Sequence, residues 1–456
     1  MSTSAAAAQW RPSGGAGAAR RVGSFVVPWR ELSTPERWIC GYFSALPLLW
    51  LVGLNLPVAL IVTFGTLALY VRSRRAYLVS LPWLLVALAQ TAAIVVNMWA
   101  AHQPPIMLAK HALSSYMLGW YVLWASICIG ASGIIDAVAF VRAVARIAFA
   151  YLLLAIPAYA IALTFKAPFL ILLSPVGHLL PADSPARIFS FSLFVYVWED
   201  FFGVLMPRLS LFFPWSTAAG YAGIFLTLLL LSERSSRRRR AAIGCALFMI
   251  LASMSRLAWV AFVACVAFRG FLALPRSARF VIGCLALACG AGMMIGGVPF
   301  DRIEDTARAK FDAARPGASQ AREAVYVATW RGIRESPWLG HGWPGESTMA
   351  ADPNSISGAD NATMVVGSHS TVSGLIYKGG AVTFALFVIA LLSTVAVIAA
   401  APRYEHVAKD ALAMIVGVGF MCAGEGLESL VVPNLFAFLW IGMAIHLGWS
   451  RRWSAS

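Results

Sequence analysis

Long apolar runs, each close to the length that crosses a lipid bilayer, follow one another through most of the chain. A transmembrane helix needs about 20 apolar residues, and fewer where it ends in a protein cavity. Hydrophobic residues make up 60% of the 456 residues and charged residues 12%, whereas soluble domains carry about 25% charged residues. The sequence therefore predicts an all-α polytopic membrane protein with about 12 transmembrane helices. The candidate segments are 38–53, 55–71, 76–99, 111–133, 147–166, 209–231, 241–254, 258–274, 280–298, 371–400, 411–430 and 434–449.

The segment 189–206 is also apolar, but Glu199 and Asp200 lie within it. Because charged side chains are costly in lipid, we expect this segment to be re-entrant or interfacial rather than spanning. Glu199 and Asp200, with His178, could supply metal ligands, but their spacing is not diagnostic and no metal site is predicted. Internal ion pairs are the alternative for these two acids, as for Glu425 and Glu428.

Basic residues concentrate in alternate connections between the apolar runs. The main clusters are at 72–75, 233–240, 275–279 and 402–409. The positive-inside rule places these connections and both termini in the cytoplasm. The net charge of +15 is then a property of membrane topology, and nucleic acid is not an expected partner.

Five segments follow from this topology. The N-terminal stretch is small, polar and basic without an apolar core, so it is not expected to be a cleaved signal peptide. The cysteines lie in or beside apolar runs, which argues against a disulfide framework or a thiolate metal site. The segments are a disordered cytoplasmic tail (1–37), helices one to nine (38–298), a polar periplasmic loop (299–370), helices ten to twelve (371–449) and a cytoplasmic tail (450–456).

The polar loop contains its own helical pattern at 319–334. Apolar and aromatic residues recur there at spacings of three and four, which predicts an amphipathic helix on the outer leaflet. Arg322 in its first turn opposes the helix dipole. It therefore indicates either an anionic ligand or an ion pair with Glu323 or Asp312. The recurring residues are Val325, Tyr326, Thr329, Trp330 and Ile333.

Arg208, Arg256 and His369 are ionisable residues at the expected outer ends of apolar runs. Each arginine alone could be a snorkelling side chain, and His369 alone could be a structural histidine. Two arginines on the outer side, however, run against the positive-inside bias, and guanidinium groups bind phosphate in a bidentate manner. His369, followed by Ser370 at a helix start, is suitably placed beside a bound anion.

Four sequence elements occur in a characteristic order. They are Arg208 before a proline-containing helix start (FFPWSTAAGY), the motif Ser255-Arg256-x-Ala258, a loop helix ending in P-x-x-G-x-G (337–342), and His369 followed by the glycine pair at 379–380. Over roughly residues 205–390 the chain thereby resembles the O-antigen ligase and polysaccharide polymerase superfamily of bacterial inner-membrane proteins. It departs from that pattern where Ser370 replaces a common asparagine and where Trp215 and Ser216 follow the proline.

The resemblance implies a GT-C-like fold and an inner-membrane glycosyltransferase whose active site faces the periplasm. The donor would be a glycan on undecaprenyl diphosphate and the acceptor a hydroxyl on a glycan or lipid-linked glycan. Arg208 and Arg256 would hold the diphosphate, and His369 would serve as the base or orient the acceptor. Arg322, Tyr326, His341 and Ser370 would bind substrate. The lipid bilayer is a further partner, and export or chain-length-control proteins are candidate partners. No cofactor is expected, because a lipid diphosphate is already an activated donor.

Three functions remain open at this point. A polymerase is slightly favoured over a ligase, because the chain lacks the ligase-like His-Asn pair at 369–370. A flippase or transporter of lipid-linked saccharides would place charges at mid-membrane depth and show internal symmetry. A non-catalytic scaffold would tolerate the loss of Arg256 and His369.

Overall fold

The fold is a bundle of apolar helices with one small sheet. The computed structural model describes residues 28–112, 114–180, 191–201, 204–233, 235–282, 284–285, 318–343, 366–367, 370–400 and 405–449. In chain order the helices are α1 (Thr34–Val52), α2 (Asn55–Tyr70), α3 (Arg74–Ala100), α4 (Pro105–Ala112), α5 (Ser115–Ser132), α6 (Ala137–Phe165), α7 (Ser216–Leu230), α8 (Ser236–Ala252), α9 (Arg256–Ala273), α10 (Ala318–Glu335), α11 (Thr371–Ala399), α12 (Glu405–Gly424) and α13 (Val431–Trp449).

Most of the predicted apolar segments coincide with helices where the structure describes them. The segment 111–133 is divided between α4 and α5, 411–430 extends beyond the end of α12, and 209–231 begins before its helix. Most of 280–298 lies outside the described residues. Among the described residues, 6 helices are long and apolar enough to cross a membrane, and α2, α5 and α7 are shorter apolar helices. The prediction of an all-α polytopic membrane protein is confirmed. The number of twelve spans stays a prediction.

The first helices show how local sequence sets the boundaries. Ser33 and Glu36 form a capping box at the start of α1, which satisfies backbone amides that the first turn leaves unpaired. Gly53 ends α1 with a left-handed backbone, φ 89°, a conformation that costs glycine little. The chain then enters α2 at Asn55, so the apolar run at 38–71 becomes two helices.

A three-stranded antiparallel sheet lies between α6 and α7. Its strands, in the order β1-β2-β3, are β1 (Phe169–Leu173), β2 (Ser192–Phe201) and β3 (Val204–Leu209). The segment 189–206 is therefore not helical in its described part, and its aromatic and β-branched content explains the strand. The predicted helix at 209–231 begins only at Ser216, directly after Pro214 and Trp215. The hairpin thus places Arg208 on a strand rather than at a helix mouth.

The interior of the bundle is built around α5, α7 and α13. In α13, 89% of the residues from Val431 to Gly448 are buried inside the protein, and α7 is buried along nearly its whole length. α5 and α13 approach so closely that a Cβ on Gly130 would lie 2.2 Å from the carbonyl oxygen of Leu439. Small residues at such crossings are typical of membrane helices. Outer helices such as α3 and α11 instead expose large apolar side chains, including Leu78 and Leu392.

Candidate active site

Arg208 on β3 reaches two different elements. It pairs with Val197 in the hairpin register, so Glu199 lies on the same face at the diagonal position of β2. The Arg208 guanidinium forms an ion pair with Glu199, and only 11% of the arginine side chain is exposed. Its Nε also donates to the carbonyl oxygen of Ser253 at 3.0 Å. The sheet therefore places this arginine against the turn between α8 and α9.

That turn, the α8–α9 tip (residues 253–255), carries Arg256 at its end. Met254 adopts a left-handed backbone with φ 47°, and the chain reverses there. The hydroxyl of Ser255 caps α9 by accepting a hydrogen bond from the amide of Ala258 at 3.3 Å. Arg256, the first residue of α9, is half-buried. A guanidinium and a helix N-terminus both attract anions, so the tip is electropositive.

The start of α11 lies beside the same tip. Leu257, in the first turn of α9, packs closely on Gly424 at the end of α12. A Cβ added to Gly424 would lie 2.3 Å from the Cδ2 atom of Leu257. The carbonyl oxygen of the next residue, Glu425, accepts hydrogen bonds from the amide of Thr371 at 2.9 Å and from its hydroxyl at 2.8 Å. Ser370 donates from its hydroxyl to the carbonyl oxygen of Cys422 at 3.0 Å. The connection after α12 therefore contacts both the first turn of α9 and the start of α11.

Helix α10 packs on α11 through a narrow stripe. Val325, Thr329 and Ile333 are buried at spacings of four, as expected for one face of a helix. The hydroxyl of Thr329 also accepts a hydrogen bond from the amide of Gly367 at 3.0 Å. Tyr326 is 51% exposed, so it lies on the opposite face. α10 covers the whole of the range predicted for the loop helix, 319–334, and its position on the outer leaflet stays a prediction.

The turn after α10 inserts against a break in α11. The amides of His341 and Gly342 each donate at 2.7 Å, to the carbonyl oxygens of Tyr377 and Lys378 respectively. The break is at Gly380, whose φ of 72° and ψ of 179° are not helical. A Cβ on Gly380 would lie 1.9 Å from the carbonyl oxygen of Trp338. The P-x-x-G-x-G turn and the glycine pair of α11 are therefore two halves of one contact.

A buried ion pair lies next to this contact. Lys378 on α11 binds the carboxylate of Glu428, in the short 3-10 helix Leu427–Ser429 between α12 and α13. Both side chains are only 2% exposed. The same 3-10 helix is held to α11 by the amide of Leu427, which donates to the hydroxyl of Thr371 at 2.7 Å. The pair fixes α11 to the connection that borders the tip.

Residues 241–388 match the family described as O-Antigen ligase. This O-antigen ligase domain match supports the superfamily that the sequence resemblance indicated, the O-antigen ligase and polymerase superfamily. Together with the apolar helices, it indicates a multi-pass membrane protein with glycosyltransferase-like activity. No curated protein matches the chain.

The O-antigen ligase domain contains some of the candidate residues and omits others. Arg256, Arg322, Tyr326, His341, His369, Ser370 and Lys378 lie within the matched range, whereas Arg208, Glu199 and Glu428 lie outside it. The domain therefore receives one arginine from the preceding hairpin and one carboxylate from the following connection. Arg208 contacts the turn before α9, and Glu428 pairs with Lys378 on α11.

The structure brings three predicted site residues to one place and separates others. Arg208, Arg256 and Ser370 border the tip and the connection beside it. Tyr326 is on the exposed face of α10, and His341 stacks on Tyr377 with ring centroids 4.6 Å apart. His369 and the side chain of Arg322 lie outside the described residues. Their roles stay predictions.

Two of the acids for which internal ion pairs were expected, Glu199 and Glu428, have such partners. Glu199 pairs with Arg208 and Glu428 with Lys378, so the ion pairs expected for these two acids are confirmed. Within the described ranges, no group of three His, Cys, Asp or Glu side chains is arranged to hold a metal ion.

Lys378 and Tyr377 are the features that the sequence interpretation did not select. Lys378 carries the only charge in the predicted span 371–400. A charge within a span is costly and usually marks a partner or a cavity, so this lysine was a usable signal. Tyr377 had no comparable signal, because an aromatic residue beside a glycine pair is common in membrane helices.

Proposed function

We propose that the chain transfers a glycan from undecaprenyl diphosphate to an acceptor hydroxyl at the periplasmic face of the bacterial inner membrane. A repeat-unit polymerase is favoured over a ligase, since Ser370 stands where the family commonly has asparagine. The observation that supports the transfer is the joint position of Arg208 and Arg256 at the α8–α9 tip. Both termini lie in the cytoplasm in this proposal.

The two arginines suit the leaving group of this reaction. When the acceptor oxygen attacks the anomeric carbon, the bond between that carbon and the diphosphate breaks and the electron pair remains on the diphosphate. Guanidinium groups in a partly desolvated site stabilise the developing charge. The amides at the start of α9 add to the same field. Arg208 and Arg256 therefore bind the lipid diphosphate.

His369 receives the proton of the acceptor hydroxyl in this mechanism. An imidazole has a pKa near neutrality, so it can accept a proton as the new bond forms. The next residue in the sequence, Ser370, is anchored to Cys422 beside the tip, and this neighbour supports the assignment of His369 to the site. A lipid diphosphate is already activated, so we expect transfer without a nucleotide or a metal.

The test is complementation of a deletion strain, with the lipid-linked glycans profiled by mass spectrometry. Arg256→Ala and His369→Ala should abolish transfer while the protein still reaches the membrane. Arg276→Ala is the matched control, because Arg276 is exposed and lies beyond the opposite end of α9. Unchanged surface polysaccharide in both site variants would contradict the proposal. Accumulated single repeat units would identify a polymerase, and accumulated full-length lipid-linked chains a ligase.

A flippase of lipid-linked saccharides is the second candidate. The buried Lys378–Glu428 pair favours it, because charged groups inside the bundle are typical of transporters. Lys378 is, however, only seven residues from the start of α11, a rise of about 10 Å along the helix. The pair therefore lies nearer the end of this 29-residue helix than its middle, whereas a flippase would place charges at mid-membrane depth. Repeat units trapped on the cytoplasmic leaflet of the deletion strain would establish the flippase.

A further inference from the structure

A cavity borders α11 at Tyr377. It is a cavity of about 410 Å³ lined by Asn97, Ala100, Ala101, His341, Trp343 and Tyr377. Its walls come from the end of α3, the turn after α10 and α11. Ligand pockets commonly have volumes of about 300–1,000 Å³. The recess is therefore large enough for a small organic group.

The aromatic rings at this cavity are held in fixed positions. His341 stacks on Tyr377 with centroids 4.6 Å apart and an interplanar angle of 29°. Trp343 stacks on His111 with centroids 5.4 Å apart and an interplanar angle of 20°. The backbone between them is anchored as well, since Gln90 donates to the carbonyl oxygen of Gly342 at 3.2 Å. These rings form a preorganised wall, which lowers the entropic cost of binding.

The polar side chains at the cavity offer hydrogen-bond acceptors. The Nε2 of His341 lies 2.9 Å from the carbonyl oxygen of Gly332, and a carbonyl can only accept, so Nε2 carries the proton. In the neutral ring Nδ1 is then an acceptor. The Asn97 amide nitrogen donates to the carbonyl oxygen of Ala93 at 2.8 Å, which leaves the amide oxygen as a second acceptor. Acceptors beside aromatic rings suit the hydroxyl groups of an uncharged sugar.

The same composition disfavours an anionic ligand. None of the six lining residues is acidic or a lysine or arginine, whereas the arginines lie at the tip. Along α11, Thr371 borders the tip connection and Tyr377 borders the cavity. Six residues separate them, which corresponds to about 9 Å of helix. A glycan whose reacting end is held at the tip could therefore extend into the cavity.

We propose that this cavity is a saccharide subsite that binds one uncharged sugar ring of the glycan substrate against Trp343, with Asn97 and His341 accepting from its hydroxyl groups. The proposal rests on the proposed function for the identity of the glycan. Binding can be measured without transfer, however, so the two proposals can fail separately. The sugar can belong to the donor or to the acceptor glycan.

The test uses the full chain in lipid nanodiscs and isothermal titration calorimetry. The probe is the repeat-unit oligosaccharide released by mild acid from the surface polysaccharide of the producing strain. Trp343→Ala should weaken binding at least tenfold, and Asn97→Ala several-fold. Trp343→Phe, which keeps a ring, should bind within about threefold of the natural chain. Trp338→Ala is the matched control, because Trp338 is 69% exposed on the same turn and does not line the cavity.

Each outcome supports the saccharide subsite or contradicts it. Unchanged binding by both Trp343→Ala and Asn97→Ala would overturn the subsite. Binding of glycerophosphoethanolamine that depends on Trp343, without binding of the oligosaccharide, would overturn it in favour of a lipid headgroup. If Trp343→Ala fails to fold, Asn97→Ala decides.

Kinetics with purified substrates separate the sources of the sugar and the two proposals. A raised KM for the lipid-linked donor alone would assign the ring to the donor, and a raised KM for the acceptor alone to the acceptor. Arg256→Ala should bind the oligosaccharide normally yet fail to transfer glycan from the lipid-linked donor. Normal transfer by Arg256→Ala would defeat the proposed function and leave the subsite standing on its binding data.

Discussion

The ion pairs Arg208–Glu199 and Lys378–Glu428 each join a basic side chain to a glutamate, but they differ in how deeply they are buried. In the first, on the hairpin, the two side chains are 11% and 18% exposed. In the second, inside the bundle, both are 2% exposed. A pair that retains access to solvent can exchange one partner for an incoming anion. A pair without such access is a structural element, because opening it would leave a charge uncompensated.

The surroundings also differ in what holds each cation. Arg208 keeps a second contact, its hydrogen bond to the carbonyl oxygen of Ser253, so its position does not depend on Glu199 alone. Lys378 lies between elements that the pair itself connects, α11 and the Leu427–Ser429 turn. Residue type therefore does not distinguish a ligand-binding cation from a structural one, but burial does.

The largest effect is expected at the buried pair. Lys378→Ala leaves the Glu428 carboxylate buried without its cation, which costs about 3–5 kcal/mol. We expect a lower melting temperature of the purified protein in detergent and reduced amounts in the membrane. Thermal unfolding followed by intrinsic tryptophan fluorescence measures the change. A stable Lys378→Ala protein that has lost transfer would instead assign Lys378 to the active site.

A double variant provides the matched control for this prediction. Replacing a buried ion pair by apolar residues of similar size is often neutral. Lys378→Met combined with Glu428→Leu should therefore recover most of the stability lost in the single variant. If the double variant also retains transfer, the pair is structural, as its burial indicates.

The second effect concerns activity at the hairpin pair, Arg208–Glu199. Arg208→Ala should lower the rate of transfer about 10²–10³-fold, the range measured when one donor to a developing anion is removed. Arg208→Lys should recover little, because an ammonium group lacks the planar fork that binds phosphate through two bonds. The rates are compared in membranes containing equal amounts of protein. Full activity of Arg208→Ala would show that Glu199 is the real partner of this arginine.

The two pairs also mark the limits of prediction from sequence. The apolar runs located the helices, because the length needed to cross a membrane constrains each run separately. Arg208 was selected correctly as a residue near Arg256, but its element was wrong. The stretch FSFSLFVYVWEDFF is compatible with a strand or a membrane segment, and only pairing with distant β1 and β3 decides.

Contacts between distant segments explain the rest of what was missed. The turn at 337–342 and the glycines at 379–380 were recognised as motifs, but their mutual hydrogen bonds depend on the break at Gly380. Lys378 lies beside that break and forms an ion pair with Glu428, 50 residues later in the sequence. No local pattern encodes a partner at that separation, although a single charge in an apolar run does indicate that one exists.

The smallest effect is expected from Glu199→Gln. Partly exposed ion pairs contribute about 0.2–1 kcal/mol, and the Ser253 contact retains the arginine in its position. The free energy of unfolding should therefore fall by less than about 1 kcal/mol, and the difference from the natural chain should shrink as salt is raised, because salt screens exposed charges. Denaturant unfolding at low and high ionic strength measures both quantities. A loss as large as that of Lys378→Ala, insensitive to salt, would show that the hairpin pair is structural too and would remove the distinction between the two.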